Sequence, residues 1–166
     1  MYVDERVLQK DINKYLKTFA ETYCKQAAKE ITNIAEDAIN KFYDDYSPIY
    51  YDRTFDLLHN SYSPYYHNNG KAIYGGVRIS SHKMQDYINS YGMGGQWSTT
   101  SAFDVVSWTW KAGYHGYEGG ESSRPIHTFP PIAMVQMEMG NKSFLDKLQK
   151  NASSIAEKQQ YSVLTF

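Results

Sequence analysis

From Asp4 to Asp45 the chain has neither glycine nor proline, and apolar side chains recur there at Leu8, Ile12, Tyr15, Phe19, Tyr23, Ala27, Ile31, Ile34, Ala38 and Phe42. Steps of three or four mark the face of a helix, since strand side chains alternate with period two. Lys14, Lys17, Lys25, Lys29 and Glu36 fall beside or opposite this stripe. The spacing predicts one amphipathic helix over about residues 4–45, longer than the globular average, with a bend expected near Thr32-Asn33. Two destinations for the stripe stay open. It packs wholly on the chain's own sheet, or its first turns project beyond the domain and pack on a neighbouring subunit.

Beyond the helix the punctuation changes. Tyr46-Ser47-Pro48-Ile49-Tyr50-Tyr51 is nearly repeated as Tyr62-Ser63-Pro64-Tyr65-Tyr66, and each proline turns the serine before it away from helix. Between the two phrases, Arg53 to Ser61 suits either a short helix or a first strand. His67-Asn68-Asn69-Gly70 is a turn signal, because Asn-Gly readily supplies positive φ. Val77 and Ile79 then alternate with Arg78 as in a strand. The reading is a hairpin, with a bulge expected at Gly75-Gly76. Ser80 to Tyr87 continues as strand or turn, and Tyr91 to Gly95 is a glycine-rich loop. Ser101 and Asp104 have capping-box spacing ahead of Phe103, Val106 and Trp110, which predicts a helix from Ala102 to Lys111 ended by Gly113. Pro130-Pro131 suits a first helical turn, yet the alternation of Val135, Met137 and Met139 suits a strand as well; helix is preferred. After Gly140, residues 141–159 read as a polar amphipathic helix, and Tyr161 to Phe166 is apolar enough to pack.

The 166 residues suffice for one domain with a single core, and 42% hydrophobic with 21% charged residues is ordinary for a soluble protein. The 16% aromatic content, 16 tyrosines included, favours either interfaces or a tyrosine-rich core with ordered water. A net charge of −1 argues against a dedicated nucleic-acid binder. No apolar run approaches a membrane span, so no membrane partner is expected. The charged start, Met1 to Arg6, gives no expectation of export. Cys24, the single cysteine, cannot form an internal disulfide and fits a reducing cytoplasm.

No catalytic constellation emerges, and neither enzyme activity nor a cofactor is expected. His115, Glu118 and Glu121 are close in sequence, but no second histidine lies at ligand spacing, so a histidine bonded within an ordered loop is preferred to a metal. The glycine clusters lack the lysine and hydroxyl residue of a phosphate-binding loop. Arg53 among tyrosines suits a structural pin that stacks on a ring. Gly113-Tyr114-His115-Gly116-Tyr117, continuing to Gly120, reads as a loop whose backbone approaches something closely. A subunit or partner contact is preferred there over a lid on Trp108 or Trp110.

The run from Tyr46 through Arg53-Thr54, Leu57-Leu58 and Ser61, following a long amphipathic helix, resembles a tail-completion family of long-tailed bacteriophages. So does Gly113-Tyr114-His115-Gly116 ahead of Pro130-Pro131. The likeness covers roughly Ile31 to Val135, and Phe55 stands where many relatives have glycine. It implies an α+β fold: a long N-terminal helix on a small, mostly antiparallel sheet over about 50–100, then helices over about 102–160. It implies a turn and then a strand after Arg53. It also implies a structural virion protein of the neck, made in the host cytoplasm. Its expected partners are copies of itself in a ring, a hexamer in the favoured form, and other neck and tail proteins. A non-specific lumenal contact with DNA is the alternative role for Arg53. Candidate interface residues are Tyr50, Tyr51, Arg53, Tyr65, Tyr66, Tyr114, His115 and Tyr117. The competing reading is an aromatic-rich carbohydrate- or peptide-binding module with Trp97, Trp108 and Trp110 as platforms.

Overall fold

The computed structural model describes residues 5–45, 56–89, 98–117 and 125–163. Helix α1, Glu5–Asp44, is a single 40-residue element and continues through Thr32-Asn33 as helix. A short α2, Asp56–Asn60, leads into strand β1, Tyr62–Asn68, which pairs antiparallel with β2, Ile73–Ile79. Strand β3, Tyr87–Asn89, pairs with β4, Ser98–Thr100, and helix α3, Ala102–Ala112, follows. Strand β5, Tyr114–Tyr117, pairs with β6, Pro125–His127; helices α4, Pro131–Gly140, and α5, Lys142–Val163, complete the order. The architecture is α+β as expected, but the described strands form three separate two-stranded ribbons rather than one sheet.

The local signals explain these boundaries. Asn68 accepts from the Gly70 amide at 2.8 Å, and Asn69 accepts from those of Lys71 and Ala72 at 3.0 and 2.8 Å. Those bonds hold the β1–β2 turn while Gly70 takes φ 81. At α3 the Ser101 hydroxyl accepts from the Asp104 amide at 3.1 Å and lies 2.6 Å from its carboxylate. Gly113, at φ 64, ends that helix by donating to the Thr109 carbonyl at 3.0 Å. Pro131 opens α4 as a helix, which settles 132–139. In 53–61 the helix α2 forms ahead of the strand, where the resemblance implied a turn.

The expected bulge is absent. The β1–β2 register runs without interruption from Tyr62↔Ile79 to Asn68↔Ile73, so Gly75-Gly76 is not a bulge. Gly75 serves contact instead: a Cβ there would run into the carbonyl oxygen of Cys24 on α1. The register shift falls between Tyr114 and Gly116.

The core lies where the C-terminal half of α1 meets the other elements. Ile31, Ala35, Ala38, Ile39 and Phe42 pack with Leu57, Val106, Trp110, Val135 and Phe144. At its centre the fully buried Trp110 donates through Nε1 to Ser61 Oγ at 2.9 Å, and Ser61 in turn donates to the Leu57 carbonyl. Tyr62 meets the same indole edge-on at 6.0 Å. Helix α5 starts in this core at Phe144 and meets α1 through Lys147 and Glu30. Its Ile155 is buried outside the core cluster.

Candidate functional site

The N-terminal quarter of the chain differs from the rest. Glu21 accepts from Asn68 at 3.0 Å and Cys24 Sγ sits 3.8 Å from the Ile73 carbonyl, and both tie α1 to the β1–β2 ribbon. Lys25 lies over the Tyr66 ring, 5.1 Å from its centroid. Ahead of these, residues 5–18 are exposed, Tyr15 alone being half-buried. At 1.5 Å per residue this arm is about 20 Å long. Along it Val7, Leu8, Ile12 and Leu16 are 55, 49, 43 and 54% exposed.

The geometry of the stripe explains why the domain leaves this face uncovered. From Leu8 to Phe42 is 42 − 8 = 34 residues covered in nine steps, whereas nine helical turns take about 32. The excess of about one and a half residues, at ~100° each, turns the stripe ~160° around the helix. Leu8, Ile12, Tyr15 and Phe19 thus share one face, and Ile31, Ala35 and Phe42 share another on nearly the opposite side. The second is the face that the domain buries. What reads as one stripe in sequence is two faces, and the arm carries the one without a cover among the described residues. Its inner end is ordered by the rings of Phe19 and Tyr23, stacked at 6.1 Å with planes 3° apart.

The sequence-selected residues are scattered. Tyr50, Tyr51 and Arg53 lie outside the described residues, as does Trp97. Tyr65 and Tyr66 are neighbours on β1 and point to opposite faces. Tyr66 turns toward α1 and Lys25, and its hydroxyl pKa is raised by desolvation and then by Glu21. Tyr114, His115 and Tyr117 belong to β5, so part of the expected loop is one strand of a short hairpin, with the irregularity at His115. The Gly113 end is tightly held: Thr128 donates to the Gly113 carbonyl at 2.8 Å, and a Cβ on Gly113 would meet the Thr128 carbonyl. Of the three tryptophans, Trp110 is 1% exposed and cannot act as a binding platform, while Trp108 is 45% exposed.

In sequence the projecting arm was one of two destinations for the stripe; the angle summed along the helix separates its face, Leu8, Ile12, Tyr15 and Phe19, from the buried one. The outer face of the β1–β2 ribbon, where Tyr65, His67 and Tyr74 come together, was missed in sequence; the period-two alternation of both strands carried that signal. Among the described residues no three His, Cys, Asp or Glu side chains gather as a metal-holding group. No described helix is long and apolar enough to cross a membrane. Comparison with protein-family models, curated proteins and solved structures returned no match.

Proposed function

We propose that this chain is a structural protein of the bacteriophage neck, assembling with copies of itself into a ring that joins or completes the tail at the head. The observation that carries the assembly half of this reading is the arm, about 20 Å of helix whose apolar face has no cover among the described residues. A ring needs two different complementary surfaces on each subunit, because head-to-tail contacts close by rotation. The arm supplies one. The Tyr114 hairpin is the candidate for the other. The Tyr46–Ser61 and Gly113–Gly116 motifs are what select the neck, with the virion as the location and other neck and tail proteins as further partners. The carbohydrate- or peptide-binding alternative is weakened by the burial of Trp110, which removes one of its platforms.

The test is assembly in infected cells. Phage supplied only with an Ile12→Asp, Leu16→Asp double variant should accumulate unjoined heads and tails, counted by electron microscopy. Tyr114→Ala should leave the isolated chain's melting temperature unchanged and also lower the joined fraction. Normal joining in the double variant would refute this role for the arm.

A further inference from the structure

Helix α1 covers one face of the β1–β2 ribbon, and the other face is built from alternate residues. Register places Ser63 opposite Arg78, Tyr65 opposite Gly76 and His67 opposite Tyr74. Three rings lie together on it, Tyr65 and His67 along β1 and Tyr74 across from His67 on β2. Tyr65 and His67 are stacked at 6.4 Å with planes 11° apart, and His67 and Tyr74 at 6.4 Å with planes 21° apart. The Arg78 guanidinium lies 4.6 Å from the Tyr65 centroid and closes the row at one end. His67 and Arg78 are exposed, and Tyr74 is 52% exposed. Opposite Tyr65, a Cβ on Gly76 would meet nothing within 4 Å, so a slot stands open beside the ring.

The chemistry of this face narrows its ligand. Its six residues include no carboxylate and no side-chain amide; the hydroxyls of Ser63 and the tyrosines and a ring nitrogen of His67 are its side-chain acceptors. It offers flat π surfaces, a cation fixed against one of them, and exposed Lys71 in the adjoining turn. A nucleotide matches both halves, with a base for the rings and a phosphate for the cation. Stacking on these rings needs an exposed base face. A duplex hides those base faces. We propose that the outer face of the β1–β2 ribbon, with Tyr65, His67, Tyr74 and Arg78, binds single-stranded nucleic acid by stacking, without sequence preference. With a chain net charge of −1 there is no general attraction to nucleic acid, so binding rests on this local face and its few cations. The site is independent of the arm.

Fluorescence anisotropy of a labelled short oligothymidylate, titrated with the full chain, tests it. Binding should weaken as salt rises. Tyr74→Ala should weaken it about tenfold and Tyr74→Phe should restore it, because stacking needs the ring and not the hydroxyl. Arg78→Gln should lower the salt slope by about one. Thermal melts establish that each variant is folded; should Tyr74→Ala fail to fold, Arg78→Gln decides. The proposal is overturned by absence of binding, by a duplex of equal length binding as tightly, by a folded Tyr74→Ala that binds like the parent, or by a tyrosine–glutamate peptide that displaces the oligonucleotide at a lower concentration than unlabelled oligonucleotide does.

Discussion

Ser61 is fully buried beside the Trp110 indole, and its hydroxyl both accepts from that indole and donates to the Leu57 carbonyl. Replacing it by alanine strands a buried N–H, so Ser61→Ala should destabilise the chain by about 1–3 kcal/mol in urea unfolding. Ile31, 7% exposed in the core, should cost about 2–5 kcal/mol as Ile31→Ala in the same measurement. Gly75→Ala should also destabilise, since its new methyl meets backbone on α1 rather than a movable side chain. Tyr62 gives a pH signature. Burial first, then Glu36 and Asp37, push its hydroxyl from the usual 10 up to about 12. Between those values the unfolded chain has lost a proton that the folded chain keeps. Stability therefore falls as pH rises through this window, and the contribution is intact below pH 10. Tyr62→Phe should flatten that fall in alkaline urea titrations.

At the scale of elements, signals that act within a few residues were legible in the sequence. The Asn68–Gly70 turn, the Ser101 cap, the Gly113 stop and the Pro131 start each act through a bond or a fixed torsion near the residue itself, and each appears in the structure. Signals that depend on distant surroundings were not legible. Gly75 reads as a bulge because glycine favours irregular strands, but its role is set by α1, some 50 residues earlier, as 75 − 24 = 51 shows. The division of α1 into two faces lay in the sequence as an angle, and counting steps concealed it. Of the candidate site, Tyr65 was legible as an aromatic interface residue; its alignment with His67 and Tyr74 required the register. The arm itself should behave as a separable element. Ile12→Asp with Leu16→Asp alters only exposed positions, so the melting point of the dilute monomer should move little.

At the scale of the whole molecule, the proposed ring makes this chain one copy in an assembly, with the apolar face of the arm covered by a neighbour. A domain of 166 residues has enough core to fold alone, and it leaves this face outside that core. A homo-oligomer with a buried arm reconciles the two facts. Molar mass by size-exclusion chromatography with light scattering, run over a range of concentrations on the parent chain and on the Ile12→Asp, Leu16→Asp variant, tests this most directly. The parent should show a defined multiple of the 19.2 kDa chain, and a folded variant the single-chain mass. A parent that stays at the single-chain mass at every concentration, or a folded variant that assembles as the parent does, would contradict it.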